Sequence, residues 1–180
     1  MWIRDDGARL FKVVIYGAHD ASVRGCMRAM AEKITGMPFA PPLKGGPITH
    51  DSFEVSLGKV KNRQTELLLT SAPAEGAPPA ARLLILKQLD GAIFVSSGKA
   101  TEADRTSFAE LRALLEQLGY PVDEIPVVVQ LEGWCDSVPD ALEKLGATGR
   151  TAAQVDTVAG KNVLDGLKAL SKLLLEKAPR

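Results

Sequence analysis

Short apolar runs alternate along this chain with segments that carry a helical pattern, and this alternation restricts the fold more than any other feature. Three of the runs have the length and composition of buried strands, namely Leu10–Tyr16, Gly91–Ser96 and Ile125–Leu131. A helical pattern follows each of them. Strands that alternate with helices are typical of a doubly wound α/β domain. We therefore predict an α/β fold with a mostly parallel six-stranded sheet flanked by about five helices, as one domain over residues 1–180.

The rest of the chain completes this pattern. A hairpin is predicted around the turn-like Lys61-Asn62-Arg63, and Thr101 with Asp104 has the spacing of a helix N-cap. Two stretches rich in Pro and Gly, residues 37–48 and 71–79, are predicted to be irregular loops. The further strands are predicted at Phe53–Val60, Glu66–Thr70 and Ala153–Thr157, and the helices at Ser22–Ile34, Ala80–Gln88, Thr101–Leu118, Val138–Leu145 and Asn162–Lys177.

Composition and charge exclude several classes of function. Lys+Arg and Asp+Glu number 22 each, so no global field attracts nucleic acid or an anionic membrane, and the 5% of aromatic residues disfavour base stacking. No spacing of His, Cys, Asp or Glu indicates a metal site. The N-terminus has no apolar signal core, and no apolar run approaches the ~20 residues of a membrane span. Because Cys26 and Cys135 are also expected to be reduced and buried, we expect a cytoplasmic protein.

The loop after the first buried strand has the frame of a phosphate-binding loop. Ligands of doubly wound folds bind beyond the carboxyl ends of the strands. Counted from Gly17, the pattern G-x-x-x-x-G-K-[ST] calls for a glycine, a lysine and a hydroxyl residue at positions 22 to 24. The chain has Ser22, Val23 and Arg24 there, and Asp20 adds a negative charge. The frame of a nucleotide site is therefore present without the groups that hold phosphates.

The chain resembles the small Ras-like GTPases, and in particular the bacterial MglA-type group of polarity and gliding-motility proteins. This resemblance implies a Ras-like P-loop NTPase fold. It also implies that a lysine neutralises the phosphates and that a Ser or Thr binds Mg²⁺; Val23 and Arg24 stand at those two positions. The segments that carry the resemblance are Phe11–Gly17, Arg82–Val95, Leu111–Gln130 and Asn162–Leu175.

Two further motifs of the family are altered. In the second motif, Ser71-Ala72-Pro73-Ala74-Glu75 replaces the D/T-x-x-G-Q type sequence, so Ala74 stands for the γ-phosphate-sensing glycine and Glu75 for the water-orienting glutamine. In the third, Glu132-Gly133-Trp134-Cys135 replaces the guanine-reading N-K-x-D. The degenerate positions of the nucleotide site are Gly17, His19, Asp20, Ser22, Val23, Arg24, Ser71, Ala74, Glu75, Glu132, Gly133, Trp134 and Cys135.

These losses predict a pseudo-GTPase that binds no cofactor or metal, does not bind GTP and is not an enzyme. Its function is then expected on the surface, as a protein–protein interaction module of bacterial polarity, motility or signalling. The resemblance suggests roadblock/MglB-type dimers or a related GTPase as partners, without a membrane span and without nucleic acid. The candidate partner surface comprises Phe39, Pro41, Pro42, Pro73, Glu75, Pro78 and Trp134.

Two other functions fit the same residues. A divergent GTPase or NTPase would use unconventional phosphate ligands, such as Arg24, Lys99 or a lysine supplied by a partner. A small-ligand sensor would use a remodelled pocket around His19, Asp20, Arg24 and Trp134. Trp134 itself has three possible roles, which are to fill the vacated pocket, to anchor a partner, or to pack in the core.

Overall fold

One twisted sheet with helices on both faces makes up the fold. The computed structural model describes residues 1–39, 51–72 and 78–177. The strands of the described residues are β1 Trp2–Ile3, β2 Arg9–Gly17, β3 Ser52–Val60, β4 Arg63–Ser71, β5 Gly91–Ser97, β6 Val127–Glu132 and β7 Thr151–Val155. Five of these strands run parallel in the sheet, whose order is β3-β4-β2-β5-β6-β7. β3 pairs antiparallel with β4, and the short β1 pairs antiparallel with β2.

The described residues form five helices, of which four lie between strands and the fifth follows β7. They are α1 Asp20–Thr35, α2 Pro79–Leu86, α3 Glu102–Gln117, α4 Val138–Leu145 and α5 Asp165–Lys177. The predicted α/β fold with a mostly parallel sheet and five helices is therefore confirmed, and β1 is a seventh strand that the sequence did not indicate. Within the residues that the structure describes, none of the helices combines the length and the apolar character needed to cross a bilayer.

The side chains of the central strands alternate between two cores, as the period of a strand requires. In β2, Val14 and Tyr16 belong to the core under α2, α3 and α4, whereas Val13 and Ile15 belong to the core under α1 and α5. All four are completely buried. Both faces of the parallel strands are covered, which explains why these strands read as continuous apolar runs.

Local signals place several element ends where the sequence predicts them. Lys61 and Asn62 both have positive φ angles (49° and 63°), which suits the tight two-residue turn between β3 and β4. Thr101 and Asp104 form a reciprocal capping box at the start of α3. Gly36 ends α1 in the left-handed conformation.

The last strand and the last helix differ from the prediction in their ends. β7 stops at Val155, because Asp156 and Lys161 exchange two backbone hydrogen bonds (3.0 and 2.9 Å) that close the four residues between them into a turn. Asn162 has a positive φ of 57°, which is not helical, and α5 therefore starts only at Asp165.

Candidate functional site

The candidate site lies at the edge of the sheet where the parallel strands end. β2 ends at Gly17, and a Cβ at this position would stand 2.5 Å from the carbonyl oxygen of Val95 and 3.1 Å from Cγ2 of Val23. No side chain fits into that space, so glycine is needed for the close packing of β2, β5 and α1. The glycine of the phosphate-loop frame therefore has a packing role that does not require a phosphate.

The connection after β2 is much shorter than a phosphate-binding loop. α1 begins at Asp20, so only Ala18 and His19 separate it from Gly17, and the backbone N–H of Val23 already donates to His19 O at 3.1 Å. Ser22 therefore lies in the first turn of a helix. Val23, at the position of the phosphate-binding lysine, is fully buried in the core under α1 and α5.

Arg24 forms the main polar contact of this region. Its Nε donates to Asp20 Oδ2 at 2.7 Å, one helical turn away, and its Nη1 donates to Asp51 Oδ2 at 3.4 Å. The carboxylate of Asp51 is 9% exposed. Asp51 is in turn fixed to the end of β4, because its N–H donates to Ser71 Oγ and the N–H of Ser71 donates to Asp51 O, both at 2.9 Å.

The family implies a nucleotide with Mg²⁺ at this point, and these residues do not fit the metal. A guanidinium carries only donors and cannot ligate a cation. Arg24 also directs its positive charge at the largely buried side chain of Asp51, with 3.4 Å between Nη1 and Oδ2. No sequence motif marked Asp51, since it stands alone at the end of a proline-rich stretch. The pairing of β3 with β4, where Asp51 is bonded to Ser71, and the packing of α1 on the same sheet bring it to Arg24.

The second motif is described only at its beginning. Ser71 is buried at the end of β4, and the N–H of Ala72 donates to Ile15 O at 3.0 Å. Of the partner-surface candidates, Phe39 packs edge-on against Phe53 with 6.0 Å between the ring centroids, and Pro78 is exposed before α2. The remaining candidates of this region lie outside the described residues, namely Pro41, Pro42, Pro73, Ala74 and Glu75.

The third motif forms a projecting loop after β6. Glu132 accepts a hydrogen bond from the hydroxyl of Thr157, and Gly133 has a φ of 82°. Cys135 is buried, whereas the side chain of Trp134 is 78% exposed. The roles of Trp134 as a pocket filler or a core residue are therefore wrong.

The exposed indole of Trp134 makes a side-chain hydrogen bond to its own loop. Its Nε1–H donates to Asp136 Oδ1 at 2.6 Å. The backbone of Trp134 packs closely on Gly98, where a Cβ would stand 2.1 Å from Trp134 O. These contacts accompany the outward position of the ring.

Two cavities flank Trp134. A cavity of about 310 Å³ lies between this residue, the loop after β5 and the start of α4, and a cavity of about 340 Å³ lies on the side of β7. Neither of the two is lined by His19, Asp20 or Arg24, so they are not the ligand pocket expected from those residues. The first is lined by Gly98, Lys99, Trp134, Asp136, Ser137, Asp140, Ala141 and Lys144, and the second by Gly133, Trp134, Gln154, Val155, Asp156, Lys161 and Asn162.

A second polar cluster ties α2 to the strand that enters the site. The buried hydroxyl of Tyr16 donates to Glu110 Oε2 at 2.9 Å, and Glu110 also accepts from Arg82 of α2. Burial raises the pKa of Tyr16 to about 12, so the phenol remains a proton donor at neutral pH. No sequence signal indicated this cluster, because its three members are far apart along the chain.

Cys26 is excluded as a nucleophile by its surroundings. Burial raises the pKa of its thiol to about 12, so that almost no thiolate forms at neutral pH. The sulfur accepts a hydrogen bond from Gln130 Nε2 at 3.0 Å. Cys26 lies on the buried face of α1 and packs in the core under α1 and α5.

Comparison with known proteins supports the family resemblance that the sequence segments carry. No family model matches the chain. Over 133 residues it is 32% identical to the mutual gliding-motility protein MglA of Myxococcus xanthus, which covers 69% of this chain and 67% of the relative. The expectation that this chain is not an enzyme is overturned by this match, because the relative belongs to a group of GTPases, which are enzymes.

Proposed function

The chain belongs to the MglA-type family of Ras-like small GTPases, and from that premise we propose that it acts as a protein-interaction module whose nucleotide site does not hold GTP through the usual ligands. The process that it serves is bacterial polarity, motility or signalling in the cytoplasm. A roadblock-type dimer or a related GTPase is the partner that this family membership favours.

The proposal is carried by the exposure of Trp134. This residue stands in the loop that reads guanine in the family, and its ring projects into solvent with its N–H held by Asp136. Tryptophan is strongly enriched among the residues that dominate binding energy at protein interfaces. An indole held outward before binding also loses little conformational entropy when a partner covers it.

The residues at the phosphate and base positions support the second part of the proposal. Val23 is buried where a lysine would neutralise phosphates, and Arg24 is shared between two carboxylates, Asp20 and Asp51. One guanidinium and two carboxylates sum to a net negative charge, which opposes an incoming triphosphate. Glu132 adds a further carboxylate at the edge where a base would lie.

The first test is the nucleotide content of the freshly purified protein. The protein is denatured, and the released nucleotides are separated by ion-exchange chromatography and compared with the protein concentration. We expect less than about one nucleotide per ten chains and no thermal shift with GTP and Mg²⁺, since a ligand at 100 times its Kd would add about 2.7 kcal/mol. Near-stoichiometric GDP or GTP would instead favour a GTPase with unconventional phosphate ligands.

The second test concerns the partner. Binding of a purified roadblock-type dimer, or of an MglA-type GTPase in either nucleotide state, is measured by calorimetry with wild-type protein and Trp134→Ala. We expect a loss of about 2 kcal/mol or more, or roughly 30-fold in affinity, if Trp134 lies at the centre of the interface. Trp2→Ala is the matched control, because Trp2 is also exposed but pairs with the opposite end of β2. Equal affinities for wild type and Trp134→Ala would contradict the proposal.

A further inference from the structure

We propose that Arg24 is a positioning residue. Its guanidinium supplies the positive charge at this edge of the sheet, where family members use Mg²⁺, and it binds α1 to Asp51, the residue before β3. The inference deepens the proposed function and rests on it in one respect, which is that no nucleotide-bound metal reaches this point. It gives a structural role to Arg24, the side chain at the position where family members have a metal-binding hydroxyl.

The geometry connects three elements through one charge. Arg24 lies in the second turn of α1, and its two donor contacts reach Asp20 in the same helix and Asp51, the residue before β3. Asp51 is held to β4 through two hydrogen bonds with Ser71, which occupies the first position of the second motif. The guanidinium therefore links the first and second motifs of the family through protein atoms.

Burial indicates that the contact with Asp51 matters more than the contact with Asp20. The Asp20 carboxylate is 33% exposed, whereas that of Asp51 is 9% exposed. A carboxylate that is largely withdrawn from water is strongly destabilising when it loses its counter-charge. An exposed i,i+4 pair contributes little by comparison. Arg24 therefore acts chiefly by satisfying Asp51.

A divalent cation would have to compete with this side chain. Arg24 is covalently attached and already one turn from Asp20, so its effective concentration at Asp51 exceeds that of free Mg²⁺. With Arg24 present, added Mg²⁺ finds no free carboxylate pair here. With a short hydroxyl side chain at position 24, Asp20 and Asp51 would lose their counter-charge and would attract a divalent cation.

A double-mutant cycle tests the contact itself. The melting temperatures of wild type, Arg24→Met, Asp51→Asn and the double variant are measured by circular dichroism. We expect Arg24→Met to lower the melting temperature by roughly 4–8 °C. The decrease for the double variant should be smaller than the sum of the decreases for the two single variants. Arg24→Lys should recover part of the loss, because it keeps the charge. A decrease for the double variant that equals the sum of the two single decreases in melting temperature would overturn the inference.

Arg105→Met is the matched control for removal of a helical arginine. Arg105 pairs with Glu102 within α3, and both side chains are at least half exposed. Its replacement should therefore change the melting temperature by less than about 2 °C. A loss as large as that of Arg24→Met would mean that any arginine removal has this effect, and the inference would fail.

Magnesium provides a readout that a merely structural role of Arg24 would not change. We expect 10 mM MgCl₂ to raise the melting temperature of Arg24→Ser by roughly 2–4 °C, with no shift for wild type or for Arg24→Ser/Asp51→Asn. A shift of wild type equal to that of Arg24→Ser, or no shift of a folded Arg24→Ser, would overturn the inference. If Arg24→Ser does not fold, the double-mutant cycle of Arg24→Met and Asp51→Asn tests the inference.

The two proposals fail in different measurements. Bound nucleotide in the purified protein would contradict the proposed function without making the cycle additive. An additive cycle would remove the role of Arg24 while leaving the protein free of nucleotide.

Discussion

Gly166 in α5 lies directly against the side-chain amide of Gln130 in β6. A Cβ at position 166 would stand 2.6 Å from Gln130 Oε1, which is closer than real Cβ contacts allow. Gln130 is completely buried and donates its Nε2–H to Cys26 of α1. One polar side chain in the centre of the sheet thus touches both helices of one layer, and a helical glycine makes room for it.

This contact predicts that Gly166→Ala destabilises the protein although alanine favours a helix. We expect a net loss of up to about 2 kcal/mol in the free energy of unfolding in urea, since overpacking against the buried amide costs about 1–3 kcal/mol and the helix propensity of alanine returns about 1 kcal/mol. Gly25→Ala in α1 is the control, because a Cβ there meets nothing within 4 Å. It should be neutral or stabilising, and a stabilising Gly166→Ala would contradict the packing argument.

The exposure of Trp134 predicts its response to a soluble quencher. In a Trp2→Phe background, acrylamide should quench the remaining fluorescence nearly as efficiently as that of a free tryptophan derivative, because most of the ring is in contact with water. Binding of the proposed partner should then protect the indole from the quencher. Weak quenching in the free protein would show that the ring is covered, and would contradict its position in the loop.

The hydrogen bonds of Glu110 with Tyr16 and Arg82 are expected to stabilise α2 against local unfolding. Replacement of Glu110 by Ala removes the acceptor of both Tyr16 and Arg82, and leaves a buried hydroxyl without this partner. We expect a loss of about 1–3 kcal/mol and faster hydrogen exchange of the amides in residues 79–86. Glu116→Ala is the control, because Glu116 lies on the exposed face of α3, the helix that also contains Glu110. It should change neither the free energy of unfolding nor the hydrogen exchange of α2. Unchanged exchange in α2 for Glu110→Ala would show that the cluster does not hold this helix.

The raised pKa of Cys26 predicts a loss of stability at alkaline pH. Burial moves the thiol pKa from an ordinary 9.0 to about 12 in the folded protein, so only the unfolded chain ionises between these values. The contribution is complete below pH 9 and falls by up to about 1.4 kcal/mol per pH unit above it. Unfolding in urea from pH 8 to 10.5 should show this slope, and it should be shallower in Cys26→Ser.

The slope needs a control, because Tyr16 titrates in the same direction. Burial raises its pKa from 10.0 to about 12, so its contribution falls at a pH about one unit higher than that of the thiol and is lost mainly above pH 10. Tyr16→Phe should therefore reduce the slope less between pH 9 and 10 than above pH 10. Identical slopes for wild type and Cys26→Ser would mean that the thiol ionises in the folded protein.

The local elements of this fold follow from local signals. The apolar run of β2 ends at Gly17, the box of Thr101 with Asp104 starts α3, and positive φ angles at Lys61 and Asn62 form the hairpin turn. Each signal depends on residues a few positions apart, whose sterics and hydrogen bonds act within one chain segment. The similarity of the motifs to the MglA-type family was likewise present in the linear order of the residues.

The residue at which α1 begins could not be predicted from the phosphate-loop pattern. The sequence shows that Ser22, Val23 and Arg24 lack the phosphate-binding groups, but not that α1 begins as early as Asp20. An early helix is possible because Val23 is drawn into the core, and this gain depends on the packing of α1 against the sheet. The propensities of the loop residues alone do not specify it.

The amino-acid sequence by itself determined the alternation of strands and helices, the family, and the residue types at positions 22 to 24 after the first buried strand. The tertiary structure decided the long-range arrangement, namely the pairing of Arg24 with Asp51, the link from Tyr16 through Glu110 to α2, and the outward position of Trp134. The physical reason is the range of the interactions. Caps, turns and periodicities act between near neighbours, whereas ion pairs and exposure depend on which distant segments the sheet order brings together.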